Sequence, residues 1–130
     1  MLISDQLFDS LTEQAKASPR LRVNYDLRTT PEDSSQRMLN AIEPDSFIPI
    51  HRHTKSTECI VLLRGKGVQY LYTSLDKAPE GVILSANGPF RMMVVEKGQW
   101  HRFQSLESGT VIFECKDGPY EPISEEDILK

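Results

Sequence analysis

The chain has 130 residues, of which 38% are hydrophobic and 26% are charged, and its formal net charge is −4. This length and composition are typical of one globular domain that buries a core without disulfide support. The acidic balance and the lack of a basic stripe argue against nucleic acid as a partner. No segment at the start has the pattern of a signal peptide, and no apolar run reaches transmembrane length, so we expect a cytoplasmic protein without membrane contact.

The first predicted element is a helix within residues 1–19. Ser4 is a suitable N-cap because its hydroxyl can accept a hydrogen bond from the first helical turn. Residues spaced three and four apart then form one apolar stripe, namely Leu7, Phe8, Leu11 and Ala15. The pair Ser18-Pro19 is expected to end the helix.

After Pro19 the pattern changes to short strands separated by turn residues, typical of an all-β sandwich or barrel over residues 20–118. The predicted strands are residues 21–25, 36–42, 47–51, 58–63, 68–72, 82–84, 90–95, 101–104 and 110–115. Gly65-Lys66-Gly67 is predicted to form a tight hairpin between two of them. In the tail, residues 119–130, Ser124 and Asp127 form a small capping box that predicts a short C-terminal helix.

All three histidines of the chain fall in one pattern with a glutamate. His51 and His53 are two residues apart, so on a strand both imidazoles project from the same face. Residues 54–57 are compatible with a turn, which allows Glu58 to begin the next antiparallel strand and face the same point, and His101 lies far downstream. The alternative is three unrelated surface or core histidines, but their common spacing with Glu58 favours a shared site.

Three neutral imidazoles and one carboxylate are a suitable ligand set for one divalent transition metal. Iron, manganese, nickel and zinc all accept these ligands, so the identity of the ion stays open. Such a ligand set also leaves coordination positions for water or a substrate. The sequence therefore predicts a metal site formed by His51, His53, Glu58 and His101.

The same residues carry a resemblance to a known superfamily. Residues 45–65 resemble the first cupin motif, G-x5-H-x-H-x(3,4)-E-x6-G, and Gly98 with His101 resembles part of the second. The sequence departs from the motifs at turn and framework positions and at no ligand; the departing residues are Asp45, Phe90, Glu96 and Ser105. More closely, residues 19–26 and 35–44, followed by the histidines, look like the WbuC-type cupin-fold metalloproteins. The resemblance implies a single-domain cupin jelly-roll barrel with a metal site, and a connection with surface-polysaccharide metabolism.

The phase of the strand that begins at Glu58 bears on assembly. If Glu58 faces the barrel interior, Ile60 and Leu62 do so too, and Cys59, Val61 and Leu63 form an apolar outer face. Either the N-terminal helix covers this face or a second copy of the chain does, and we favour a homodimer, which is also common among cupins. We expect Cys59 and Cys115 to be reduced, because paired thiols in an intracellular protein are more often small apolar residues than a disulfide.

Polar residues in the strands before the histidines are candidates for contacts with a small-molecule ligand, namely Arg20, Arg22, Asn24, Gln36, Arg37 and Asn40. Arginine binds carboxylate or phosphate through two parallel hydrogen bonds. Asn24 and Arg37 are preferred as substrate-binding residues because they lie in the segments that carry the family resemblance, and Tyr70 is a further candidate for the cavity wall. The alternative for each is a solvated face or, for Tyr70, ordinary packing.

Three functional hypotheses follow from these observations. The first is a metal-dependent cupin enzyme of oxygenase, isomerase or lyase type, acting on a small polar or sugar-related metabolite. The second is a non-catalytic module that binds or senses a small molecule through its metal. The third is a metal-free epimerase of cupin-like fold that uses histidine as a base. The ligand spacing of the histidines and Glu58 argues against the third, and the first is slightly preferred over the second.

Overall fold

The computed structural model describes residues 1–129. In chain order, the elements are α1 (Asp5–Ala17), β1 (Arg22–Asp26), β2 (Ser35–Ile42), β3 (Ile50–His51), β4 (Glu58–Arg64), β5 (Lys66–Tyr72), β6 (Glu80–Ser85), β7 (Met92–Val95), β8 (Trp100–Ser105), β9 (Val111–Asp117), a 3₁₀ turn (Glu125–Asp127) and β10 (Ile128–Leu129). Among the described residues, no helix is long and apolar enough to cross a membrane.

Two five-stranded antiparallel sheets face each other, as expected for an all-β jelly roll. The first sheet has the order β1-β2-β9-β4-β7 and the second has the order β10-β3-β8-β5-β6. Apolar side chains from both sheets fill the space between them; the buried members are Ile42, Ile60, Leu62, Leu84, Val95, Phe103 and Ile112. This core occupies one end of the space between the sheets, and polar side chains occupy the other end.

Helix α1 forms a third layer on the outer face of the first sheet. The Ser4 hydroxyl accepts a hydrogen bond from the Leu7 amide at 3.3 Å, which confirms the predicted N-cap. The helix packs on β1 and β2 and buries the predicted stripe in a second cluster that contains Phe8, Leu11, Ala15, Leu39, Ala41 and Val111. Strands β1, β2 and β9 are therefore covered by apolar contacts on the side that faces away from the second sheet.

The outer face of β4 and β7 lies outside the area that α1 covers. Glu58, Ile60 and Leu62 point inward and are buried, as their phase predicts. On the opposite side, Val61 pairs with Met92 in β7. The side chains of Leu63 and Met92 are 39% and 52% exposed.

Cys59 and Cys115 occupy a neighbouring part of that outer face. They are direct partners on β4 and β9, and both are free. Burial, together with the neighbouring Cys59, raises the pKa of the Cys115 thiol above its ordinary value. The pair is half-buried rather than fully buried.

The predicted hairpin at Gly65-Lys66-Gly67 is wrong. Strand β4 pairs with β7 and β9, whereas β5 pairs with β6 and β8, so the chain crosses from one sheet to the other at Gly65. Gly65 has a φ of 83°, and a Cβ atom there would collide with Thr110. A glycine-rich turn shows where the backbone changes direction, but it does not determine which strands pair.

The tail also differs from its prediction. Residues Glu125–Asp127 form a single 3₁₀ turn instead of a capped α-helix, and the Ser124 side chain makes no capping hydrogen bond. Strand β10 follows at once and pairs with β3, where Ile128 lies opposite His51. The predicted strand over residues 47–51 is reduced to Ile50–His51, so the tail supports a very short strand that carries a candidate ligand.

Candidate metal centre

Two of the histidines are brought together by strand pairing in the second sheet. His51 in β3 is the direct partner of His101 in β8. Side chains of directly opposed residues lie on the same face of a sheet, and here the two ring centroids are 4.3 Å apart. Both imidazoles face the first sheet across the space between the two layers.

His53 and Glu58 complete the group from two different positions. His53 lies in the loop after β3, where the Gly98 amide donates a 2.8 Å hydrogen bond to its carbonyl oxygen. Glu58 is the first residue of β4 in the opposite sheet, so it approaches the imidazoles from the facing layer. Its Oε2 atom lies 3.1 Å from His53 Nε2 and 3.6 Å from His101 Nε2.

The histidines of the two strands are oriented by backbone carbonyl groups. His51 Nδ1 lies 2.9 Å from the Pro49 oxygen, and His101 Nδ1 lies 2.8 Å from the Gln99 oxygen. A carbonyl oxygen only accepts hydrogen bonds, so each Nδ1 carries the proton and donates it. In the neutral imidazole the lone pair is then on Nε2, which is the arrangement that metal-binding histidines use.

The four side chains fit a transition-metal ion. One ligand atom from each of His51, His53 and His101 can be chosen so that all three lie within 4.8 Å of one another. His101 Nε2 and Glu58 Oε2 are buried and have no hydrogen-bond partner of acceptable geometry among the described residues. Buried polar atoms without partners are rare, and a metal ion bound between these two atoms would satisfy both.

Burial and mutual contact shift the pKa values of the group in different directions. Burial, followed by the nearby His101, lowers the pKa of His51 to about 4, so this imidazole is neutral and able to bind metal at neutral pH. Burial acts to raise the pKa of Glu58, but contacts with His101 and His53 outweigh it, and the pKa lies below its ordinary value. Burial likewise acts to lower the pKa of His101, but the Glu58 carboxylate raises it overall.

A cavity of about 290 Å³ lies beside the candidate metal ligands. Its wall includes His51, His53 and Glu58, and the inner faces of β1, β2 and β9 supply polar side chains. The tail contributes Tyr120 and Ile123 to the wall. The volume is near the lower end of ordinary ligand pockets, which begin at roughly 300 Å³. The imidazoles of His51 and His53 are therefore accessible to a small molecule from one side.

A family model described as "Domain of unknown function (DUF6016)" matches residues 3–84, which is more than half of the chain. The chain belongs to the DUF6016 family. The matched segment contains His51, His53 and Glu58, whereas His101 lies beyond its end. No curated protein matches the chain.

Solved structures of cupin-fold proteins resemble this DUF6016 chain. CapF from Staphylococcus aureus, a capsular polysaccharide assembling protein, is 20% identical with a TM-score of 0.65 over 76% of this chain and 27% of CapF. Oxalate oxidase in complex with the substrate analogue glycolate is 15% identical with a TM-score of 0.67 over 83% of this chain and 56% of that one. KdgF from Halomonas sp. is 14% identical with a TM-score of 0.62 over 79% of this chain and 84% of that one.

These similarities establish the cupin fold of the DUF6016 chain. At such low identities they support no conclusion beyond the fold. The chain spans about a quarter of CapF and about half of the oxalate oxidase. The closer WbuC-type assignment is not established by these matches.

The structure brings only one of the three preferred substrate-binding residues to the cavity. Asn24 lines it. Arg37 points to the outer side of β2, where it forms an ion pair with Asp33 at 2.8 Å and a hydrogen bond with Ser35. Tyr70 lies on the outer face of the second sheet against the Arg102 guanidinium. The expected roles of Arg37 and Tyr70 therefore need correction, because strand phase places both side chains on the wrong face.

Two residues that the sequence did not single out also line the cavity. Glu114 and Lys116 alternate on β9 with outward-facing residues, and their side chains are only 15% and 11% exposed. Lys116 lies opposite the metal-ligand candidate Glu58 in the β4–β9 pairing, and its Nζ is 3.6 Å from Glu114 Oε2. Burial, followed by the nearby Glu58, raises the pKa of Glu114 to about 7. The signal that could have identified them is Ile112, a core residue two positions before Glu114 on the same strand, because residues two apart share a face.

Proposed function

We propose that this DUF6016 domain binds one divalent transition metal through His51, His53, His101 and Glu58. The observation that carries the proposal is the convergence of three imidazoles on one point. In His51 and His101 the Nδ1 atom donates to a backbone carbonyl oxygen, which leaves the lone pair of the neutral ring on Nε2. Glu58 approaches from the facing sheet and supplies a negative charge beside two of the imidazoles. Iron, manganese, nickel and zinc all suit this ligand set.

The metal centre is proposed to serve a metalloenzyme that acts on a small polar, sugar-related molecule. When bound, the ion would supply Lewis-acid chemistry or activate a bound water molecule. The protein contributes a cavity whose wall combines Asn24 with the buried Glu114–Lys116 pair, so hydrogen bonds and charges surround any ligand. CapF, a capsular polysaccharide assembling protein of the same fold, supports a sugar-related substrate, although this chain covers only 27% of it.

An assay of binding and consumption separates an enzyme from a binding module. Metal-free protein is loaded in turn with iron, manganese, nickel or zinc, and candidate sugars and small acids are followed by calorimetry and by product analysis. We expect consumption that depends on the metal and is lost in Glu58→Gln, because this change removes a charged ligand. Glu107→Gln, an exposed carboxylate remote from the cavity, is the control. Tight binding without consumption under every metal would instead assign the sensing role.

Acidification should release the metal. Imidazole binds a metal only in its neutral form, so protons compete with the ion as the pH falls through the imidazole range. We expect full occupancy at pH 7.5 and progressive loss between about pH 6 and pH 4. Metal content after dialysis at a series of pH values measures this, with circular dichroism to confirm that the fold persists. Occupancy unchanged at pH 4 in folded protein would argue against imidazole ligands.

We also propose that a second copy of the chain covers the outer face of β4 and β7. This face presents Val61, Leu63, Met92 and Val94, and the side chain of Arg64 at the end of β4 turns to helix α1, where it pairs with Asp9 at 2.8 Å. Helix α1 covers the neighbouring strands and leaves this face open. An uncharged apolar face is complementary to itself, and twofold symmetry lets one patch cover its own copy.

Light scattering at low micromolar concentration should therefore report twice the chain mass. Met92→Lys should give monomers, because it would bury two unpaired charges at a twofold interface. Ile83→Lys is the matched control, since Ile83 is 55% exposed but lies on β6 in the other sheet. A monomeric wild-type protein, or dissociation by both variants alike, would contradict this assembly.

A further inference from the structure

Two arginines at one side of the cavity have no acidic partner. Arg20 and Arg22 both line it, and neither has a carboxylate within salt-bridge distance among residues 1–129. Leu21 between them has a φ of 57°, a left-handed conformation that a leucine rarely adopts. The chain thus enters β1 through a strained residue whose two neighbours both contribute to the cavity wall. Backbone strain of this kind is often found at ligand sites.

The guanidinium group of Arg22 is held in place by uncharged acceptors. It donates hydrogen bonds to the Phe47 carbonyl oxygen at 2.8 Å and to the Ser46 hydroxyl at 3.3 Å. The Ser46 hydroxyl in turn donates to the Arg20 carbonyl oxygen at 2.7 Å, which ties the two arginine positions together. Burial, followed by the positive charge of Arg20, lowers the pKa of Arg22. Two neighbouring cations without a carboxylate leave this part of the cavity electropositive.

Asn40 supplies an unpaired hydrogen-bond acceptor on the same wall. Its side chain is only 8% exposed, and it lies on the inner face of β2 opposite Asn24. The Nδ2 atom contacts the Met38 sulfur at 3.7 Å, whereas the buried Oδ1 atom has no partner among the described residues. A ligand hydroxyl group would donate the missing hydrogen bond.

We propose that Arg20, Arg22 and Asn40 form a subsite for a small hydroxylated anion. The guanidinium groups bind its carboxylate or phosphate group, and Asn40 accepts a hydrogen bond from one of its hydroxyl groups. A cavity of about 290 Å³ is near the lower end of ordinary ligand pockets, so it suits a small ligand. The inference rests on the proposed function, because the same cavity exposes the metal-ligand candidates His51 and His53 to the other end of the ligand.

The test measures the affinity of zinc-loaded protein for four probes by calorimetry. D-gluconate carries both features, D-glucose lacks the charge, adipate lacks the hydroxyl groups, and D-glucose 6-phosphate replaces the carboxylate with phosphate. We expect gluconate or the phosphate ester to bind best, and their ratio distinguishes the two anions. Arg22→Gln should weaken the better ligand about 10- to 100-fold, the usual effect of losing hydrogen bonds to a charged group.

Matched variants make the result specific to the subsite. Asn40→Leu has nearly the same shape and should weaken the hydroxylated anions while leaving adipate unchanged. Arg37→Gln removes an arginine of the outer face and should have no effect, because Arg37 is paired with Asp33. Metal content is measured in every sample, so loss of metal would count against the metal centre and not the subsite. Full metal content with equal affinity for glucose and gluconate, no affinity for any probe, or no effect of Arg22→Gln would overturn the subsite.

Discussion

Replacing His101 with glutamine should lower the affinity for a divalent metal by more than about 100-fold. Loss of a partner that merely orients a ligand already costs about 10- to 100-fold, and here a ligand itself is lost. His101 is only 2% exposed, so no water-filled space surrounds the missing imidazole. Competition with a fluorescent zinc chelator at pH 7.5 measures the affinity of the wild type and the variant.

The neighbouring Arg102 provides the control for this experiment. Arg102 follows His101 on β8 but points to the outer face, between Phe47 and Tyr70. Arg102→Gln should keep wild-type metal affinity, since strand alternation separates its side chain from the centre. Equal affinities for His101→Gln and the wild type, with both proteins folded, would remove His101 from the ligand set.

Lys116→Met should destabilise the metal-free protein by about 3–5 kcal/mol, the typical result of leaving one partner of a buried ion pair without its counter-charge. The change leaves the Glu114 carboxylate buried beside Glu58, and burial, followed by the charge of Glu58, already raises the pKa of Glu114. Adding Glu114→Gln to this variant should recover most of the loss, because the Glu114 position then carries no buried charge. Urea unfolding at pH 8 measures the three free energies.

An exposed ion pair provides the control for the buried pair of Lys116 and Glu114. Lys55 and Glu121 are 3.0 Å apart, closer than Lys116 and Glu114, but their side chains are 76% and 58% exposed. Lys55→Met should cost less than about 1 kcal/mol, because water screens and solvates the partner that remains. A Lys116→Met protein as stable as Lys55→Met would show that the buried pair carries no such cost.

The pH dependence of the wild-type, metal-free protein follows from the same residue. The pKa of Glu114 is about 7 in the folded protein and 4.5 as an ordinary glutamate. Below pH 4.5 the group is protonated in both states, and between these two values the folded state holds the proton more tightly. Glu114 therefore favours the folded state at low pH, and this contribution is lost as the pH rises towards 7. Glu114→Gln should flatten that part of the stability profile.

The sequence predicted those elements whose local pattern of apolar and polar residues matches the way they pack in the fold. The stripe of Phe8, Leu11 and Ala15 defined α1 because the helix buries one face. Strand β4 followed its predicted phase, because Glu58 marks the inner face and Ile60 lies on it. The histidine spacing predicted the group that the structure brings together, since His51 and His53 share one short segment.

Which strands pair, and which face of each strand points into the space between the sheets, depend on the whole fold. These two features were therefore harder to predict from the sequence. In strand β9 the apolar residues Phe113 and Cys115 alternate with Glu114 and Lys116, a pattern that normally places the two charged side chains in water. Because α1 covers the outer side of β2 and of the first part of β9, Val111 and Phe113 lie under the helix, and Glu114 and Lys116 line the cavity. Helix packing also explains why the side chain of Arg37, which shares the phase of Leu39, turns away from the cavity.

The most direct test of the metal centre is a crystal structure of the metal-loaded protein with anomalous data collected on both sides of the metal absorption edge. We expect one anomalous peak per chain, about 2.0–2.2 Å from the Nε2 atoms of His51, His53 and His101 and from a carboxylate oxygen of Glu58. Well-ordered imidazoles without a peak between them, or a peak bound by other residues, would contradict it.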